Sequence, residues 1–222
     1  MSRMSDYPVI VAPSILASNH GKFIEESVDV EKQGADWIHC DIMDGHFVDN
    51  ISFGAGVVGA LRGPVGLPLD VHLMITRPDR YYPQFIEAGA HSISVHEEAD
   101  HDVSQTLAAI KEAGCLAGLA INPPTDFERA KPFLDQIDIL LIMTVNPGFG
   151  GQSFMAEVLP KVEEAVSIRQ AKGYEFHIEV DGGIKPATAK PSIAAGANVL
   201  VAGTSVFGAA DRAAAIQELR EA

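Results

Sequence analysis

One pattern constrains this chain more than any other: a short apolar run followed by a stretch of helical period, repeated eight times, with a glycine closing several of the helices, as at Gly34, Gly89, Gly114 and Gly196. The apolar runs lie at 9–16, 37–43, 67–74, 92–96, 116–121, 137–143, 176–180 and 198–201. They are continuous rather than alternating, as expected of parallel strands covered on both faces. Between them the sequence predicts a helix from Ser18-Asn19 to about Gly34, with Phe23, Ile24, Val28 and Val30 as its apolar stripe, and a short helix near 57–61. Further helices are expected from Arg77-Pro78-Asp79 to Ala88-Gly89, over 103–113, briefly after Asn122-Pro123-Pro124-Thr125, and over 154–172, 186–195 and 212–220. Pro in a first turn and Gly as a left-handed stop are the normal punctuation of helices. Each unit has the size of a strand–helix repeat. An open doubly wound sheet is the rival, but eight regular units without an extra domain favour a closed (β/α)8 TIM barrel of the α/β class, with residues 1–222 as one domain.

Composition bounds the function. Lys and Arg total 16 against 30 Asp and Glu, a formal net charge of -14. That disfavours nucleic acid as a partner, which calls for clustered cations. It also means that any anionic ligand must be held by local features against a repelling field. Two cysteines, Cys40 and Cys115, make no disulfide framework. The N-terminal Met1-Ser2-Arg3-Met4-Ser5-Asp6 has no signal-peptide layout, and no apolar run approaches the roughly 18 residues of a membrane span. A cytoplasmic protein without a membrane partner is expected.

In a barrel of this kind the chemistry sits at the C-terminal strand ends and the loops beyond them. Ser14 follows the first strand, His39 and Asp41 lie on the second, His72 on the third, and Asp181 ends the seventh. Residues i and i+2 of a strand share a face, so His39 and Asp41 converge, and Cys40 points the other way. A lone histidine on an apolar strand is ordinarily a satisfied interior residue. Four ligand-type side chains on three strands at one end make a better case for a site. His39, Asp41, His72 and Asp181 suit a divalent cation such as Zn²⁺, Fe²⁺ or Mn²⁺, and the mixed nitrogen and oxygen set does not select one. Asp41 and Asp181 would also serve as acid and base if they flank a bound substrate. Asp44 and His46 fall in the following loop and gain no chemistry.

A second constellation is Asn146-Pro147-Gly148-Phe149-Gly150-Gly151-Gln152 after strand six, with Gly182-Gly183 after strand seven and Gly203-Thr204 after strand eight. Plain turns would use glycine too. Barrels, however, often bind phosphate with the loops after strands seven and eight. The absence of Lys and Arg from 146–153 and 201–207 suits a nest of backbone amides.

Taken in order, six segments resemble the ribulose-phosphate 3-epimerase family along nearly the whole chain. They are Ala12-Pro13-Ser14-Ile15-Leu16-Ala17, His39-Cys40-Asp41-Ile42-Met43-Asp44-Gly45, Asp70-Val71-His72-Leu73-Met74, the run from Met143 to Gln152, Val180-Asp181-Gly182-Gly183-Ile184 and Val201-Ala202-Gly203-Thr204-Ser205. The resemblance implies an isomerase of carbohydrate metabolism, in the pentose phosphate pathway. It would interconvert D-ribulose 5-phosphate and D-xylulose 5-phosphate by proton transfer at C3 through an enediolate. It implies one divalent metal (Zn²⁺, Fe²⁺, Mn²⁺ or Co²⁺) on His39, Asp41, His72 and Asp181, with Asp41 and Asp181 as the catalytic pair. Ser14, His72, Asp181, Gly148, Phe149, Gly150, Gly151, Gly182, Gly183, Gly203 and Thr204 would contact the substrate, and Met43, Met74 and Met143 would form an apolar wall. A homo-oligomer, dimer or hexamer, is implied as well. Asp49 stands where the family usually has Pro, and Thr204 where Ser is common. A 3-epimerase of a six-carbon ketose phosphate such as D-allulose 6-phosphate shares this signature. A barrel decarboxylase or aldolase-like synthase would want a catalytic Lys at the strand ends, and a non-catalytic phosphosugar-binding barrel would not need both His and both Asp.

Overall fold

The computed structural model describes residues 7–222; residues 1–6, read above for a signal peptide, lie outside the described residues. The eight apolar runs become the strands β1 (Ile10–Pro13), β2 (Ile38–Met43), β3 (Leu69–Met74), β4 (Ser92–His96), β5 (Leu116–Ile121), β6 (Ile139–Met143), β7 (His177–Asp181) and β8 (Val199–Ala202). All paired neighbours run parallel, in the order β1-β8-β7-β6-β5-β4-β3-β2. A (β/α)8 barrel results, and its one thin seam lies between β1 and β2.

Two features close that seam. At the N-terminal side, the Asp36 N–H donates to the Val11 carbonyl (3.0 Å) and the Val11 N–H donates to Asp36 Oδ2 (2.8 Å). At the other side an isolated parallel bridge joins Ser14 to His39. The second contact sets the Ser14 side chain beside the residues of β2.

Outside the sheet run α1 (Phe23–Lys32), α2 (Ala55–Leu61), α3 (Pro78–Ala88), α4 (Val103–Glu112), α5 (Leu159–Lys172), α6 (Pro186–Ala195), α7 (Thr204–Phe207) and α8 (Arg212–Arg220). Gly89 and Gly196 end α3 and α6 in the left-handed conformation, as the sequence predicts. Three departures have physical reasons. The chain from Ser18 begins with a 3-10 turn over His20–Lys22, capped by Asn19, before α1 starts. Ile24 is exposed, and the buried face of α1 is Ser27 and Val30, with Phe23 packed beside them. A serine within the stripe had shifted the apparent apolar phase. After β5 no α-helix forms: Pro123, Pro124 and Pro132 remove N–H donors, and two 3-10 turns, Phe127–Arg129 and Lys131–Phe133, fill the place. The four-residue α7 was not expected.

The large core lies between the outer faces of the strands and the helices, where Cys40 is fully buried with Val71, Leu73 and Leu200. A second apolar cluster, Ala12, Trp37, Ile139, Val199 and Val201, packs apart from that core, with Val201 reaching the cavity described below. The interior of β2, β3, β4 and β7 is instead polar. No helix among the described residues is long and apolar enough to cross a membrane.

Candidate active site

Polar residues recur with period two on the inward face of four strands: His39 and Asp41, Asp70 and His72, Ser92, Ser94 and His96, Glu179 and Asp181. Register then assembles them, because β2 and β3 pair His39 with Asp70 and Asp41 with His72. Asp41 is the hub. Its Oδ1 lies 3.2 Å from His39 Nε2 and 3.1 Å from His72 Nδ1. Its Oδ2 accepts a hydrogen bond from Ser14 Oγ at 2.5 Å. Asp181 Oδ2 sits 3.9 Å from His72 Nδ1. One ligand atom from each of His39, Asp41, His72 and Asp181 lies within 4.8 Å of all the others.

Burial works against every charge here, so neighbours decide which groups carry one. Desolvation opposes protonation of His39, but the Asp41 carboxylate and then Asp70 outweigh it and hold the imidazole well above its ordinary pKa. Burial likewise disfavours the Asp41 anion, yet His39 and His72 keep it well below the usual carboxylate range. Asp181 gains no such partner: burial, then the Asp41 charge, push it up to about 8. Burial brings His72 down to about 4, only partly offset by the Asp41 carboxylate beside its Nδ1. The surroundings thus push the two carboxyls in opposite directions, the division that a base and an acid require.

The donor set fits a divalent cation. His39 Nδ1 is 2.7 Å from Asp70 Oδ2, and Asp70 is itself held by Ser92 Oγ at 2.6 Å. His39 Nδ1–H donates to Asp70, which leaves Nε2, beside Asp41, as the nitrogen that a bound cation would occupy in place of a proton. A carboxylate behind a histidine is the usual support of a metal-binding imidazole. A positive charge is wanted among two carboxylates and two ring nitrogens, and two N and two O donors suit a borderline metal. His39, Asp70 and Glu179 form a second close group. Burial and then the Asp70 charge push Glu179 well above the carboxylate range.

Above the cluster opens a cavity of about 570 Å³ lined by Ser14, Asp41, Asp181 and the three methionines Met43, Met74 and Met143. His39 and His72 lie behind Asp41, fully buried. The same cavity brings in the loops expected to bind substrate: Gly148, Phe149, Gly150 and Gly151, then Gly182 and Gly183, then Gly203 and Thr204. Phe149 is exposed at the rim. Gly183 has φ of +66°, and a Cβ there would stand 2.8 Å from the Phe154 nitrogen. Only glycine fits that approach of main chain to main chain. Asn50 Nδ2 donates to the Gly148 carbonyl at 2.6 Å, tying the loop after β2 to the glycine loop.

Every sequence-predicted site residue thus reaches one cavity or the cluster beneath it. Asp70, Ser92, His96, Glu98 and Glu179 carry no role in the sequence reading, although period two marks Asp70 beside His72 on β3 and Glu179 beside Asp181 on β7. Lys185, also unassigned, lines the cavity from the start of α6. Asp44, set aside as a loop residue, accepts the His46, Phe47 and Thr76 N–H groups and so pins the loop after β2 to the end of β3.

Residues 10–207 match the model of the "Ribulose-phosphate 3 epimerase family". A ribulose-phosphate 3-epimerase of Bacillus subtilis is 51% identical over 211 residues, covering 95% of this chain and 97% of that one. A chloroplastic ribulose-5-phosphate-3-epimerase of Arabidopsis thaliana is 48% identical, covering 99% of this chain and 79% of its own. Among solved structures, KGPDC from Streptococcus mutans superposes with a TM-score of 0.74 over 96% of both chains at 16% identity, a likeness of fold.

Proposed function

The chain belongs to the ribulose-phosphate 3-epimerase family and is an isomerase, and on that premise we propose a metal-dependent, two-carboxylate exchange of the C3 proton between D-ribulose 5-phosphate and D-xylulose 5-phosphate. The observation that carries this reading is the Asp41–Asp181 pair, set in one cavity within reach of one site yet in unlike environments, Asp41 held by Ser14, His39 and His72 and Asp181 only at the edge of that cluster.

The proton at C3 lies beside a ketone and is only weakly acidic, so its removal needs both a positioned base and a sink for the charge left behind. His39, Asp41, His72 and Asp181 would hold one divalent cation (Zn²⁺, Fe²⁺, Mn²⁺ or Co²⁺), which when bound stabilises negative charge on oxygen as a Lewis acid, worth several kcal/mol or so. Asp41, its Oδ2 fixed by Ser14, takes the proton from one face of the substrate. Asp181 returns a proton to the other face of the enediolate. The roles exchange in the reverse direction, which explains two carboxylates of unlike environment on one carbon. Ser14 borders the sugar, whereas His72, for which the sequence implied substrate contact, lies buried behind Asp41 and off the cavity wall. Met43, Met74 and Met143 exclude water from a carbanion that would otherwise be quenched.

The phosphate would sit across the mouth, on main-chain N–H groups of Gly148, Phe149, Gly150, Gly151, Gly182, Gly183, Gly203 and Thr204. Amides attract an anion without adding net charge. The reading extends to a homo-oligomeric enzyme, placed in the cytoplasm as the sequence reading expects. Deuterium incorporation at C3 of ribulose 5-phosphate in D₂O tests it. Exchange and epimerisation should vanish together on metal stripping and return with added cation. Undiminished exchange in stripped protein would refute the mechanism.

A further inference from the structure

Behind His72 runs a chain of hydrogen bonds that ends outside the cluster. His72 Nε2 lies 2.8 Å from Nε2 of His96, a fully buried residue of β4. His96 Nδ1 lies 3.0 Å from Glu98 Oε2. Glu98 Oε1 accepts the Asn122 N–H at 2.8 Å and the Thr125 hydroxyl. Those donors belong to the loop after β5, whose carbonyls at Asn122, Pro123 and Thr125 are gathered by Lys161 Nζ.

Proton counting makes the chain directional. Three gaps lie in series: Asp41 to His72, His72 to His96, and His96 to Glu98. Two neutral imidazoles bring two protons. Glu98 cannot supply a third. Burial disfavours its anion, but His96 and then Thr125 and Asn122 outweigh that and hold its pKa at about 2. Both Glu98 oxygens are acceptors, so His96 must carry its proton on Nδ1. Its Nε2 then accepts, His72 donates from Nε2, and His72 Nδ1 is left as a lone pair facing Asp41 Oδ1 at 3.1 Å. The third gap is left for a cation.

We propose that Glu98 and His96 are positioning residues that set the tautomer of His72, turning its Nδ1 lone pair into the cation site. His39 is served by one carboxylate in direct contact, Asp70, whereas His72 is served by Glu98 through a second imidazole. This inference rests on the cation reading above and deepens it.

The test uses Glu98→Gln in the full-length protein. The Asn122 N–H keeps the amide oxygen where Oε1 was, so the new NH₂ faces His96 Nδ1. The chain then reverses and puts a proton on His72 Nδ1. Zn²⁺ affinity, titrated into metal-stripped protein, should fall at least tenfold, within the roughly 10–100-fold span of such supporting groups. Thr125→Val removes a donor to Glu98 without reversing any proton, and its affinity should stay within about threefold of the parent. Long-range ¹H–¹⁵N spectra of the Zn²⁺-loaded parent should show His96 protonated at Nδ1 and His72 at Nε2. His96 protonated at Nε2 would overturn the inference even if Glu98→Gln fails to fold. So would equal affinity in Glu98→Gln, or an equal loss in Thr125→Val. A parent protein that binds no metal would instead defeat the cation reading itself.

Discussion

The two sides of the barrel mouth solve opposite problems with different material. On the side of β2, β3 and β7, buried side chains on strands present nitrogen and oxygen donors, each fixed by a neighbour: Asp41 by Ser14, His39 by Asp70, His72 by His96. On the side of the loops after β6, β7 and β8, the surface is main chain, and glycine lets it come close. A cation site must fix lone pairs in number and direction, which only ordered side chains in low dielectric can do. An anion site in a chain of net charge -14 gains more from amide dipoles, which orient without altering the balance of charge. Substitutions should therefore act on turnover at the first side and on substrate affinity at the second.

The largest expected effect is at the carboxylates. Asp41→Asn and Asp181→Asn should each lower kcat by about 10³ or more, at the strong end of what a positioned acid or base contributes. Inhibition by inorganic phosphate, which reads the loop side, should change less than about threefold in both. Steady-state kinetics with phosphate as inhibitor checks the pair of claims. Near-native turnover in both variants would collapse the division of labour.

The mirror-image prediction concerns Gly183. Adding a Cβ at φ +66°, 2.8 Å from the Phe154 nitrogen and 3.0 Å from the Gln152 carbonyl oxygen, must push the glycine loop away from its place. Gly183→Ala should cost about 1–3 kcal/mol of stability by denaturant titration. It should raise KM by about tenfold with kcat changed less than threefold. A kcat effect that exceeds the KM effect would show that the two sides are not separable.

How much of this was legible in the sequence follows from the same contrast. Eight continuous apolar runs implied the closed barrel, and period two on β2 with a histidine on β3 located the first side. Glycine density located the second. Ile24 misled because helical phase is read from apolar residues, and a buried Ser27 carries none. The missing helix after β5 was written in three prolines but masked by the regularity of the other units. Asp70 and Glu179 share a face with His72 and Asp181 by simple alternation, yet a fully buried carboxylate looks like any strand residue until its partner on another strand is known. Glu98 lies beyond its strand and gives no periodic signal. Its place in the site depends on a hydrogen bond to His96 and on the loop 24 residues ahead.

The smallest effect is expected where the two sides are tied together. The loop after β2 carries Val48 into the wall beside Met43 and Met74, and Asn50 reaches across to the Gly148 carbonyl. Asp49, between them, is exposed, has no positive φ, and donates its N–H to no acceptor among the described residues. Proline at that position removes nothing and narrows the unfolded ensemble. It also biases Val48 toward extended backbone. Asp49→Pro should therefore stabilise the protein by about 0.4–1 kcal/mol, a rise in Tm of about 1–4 °C for a chain of this size, with kcat/KM within about twofold. Thermal melts beside kinetics read both numbers. A tenfold loss of kcat/KM with stability intact would mean that this loop must move for turnover, and that the cation and phosphate sides are coupled through Asn50 rather than merely joined by it.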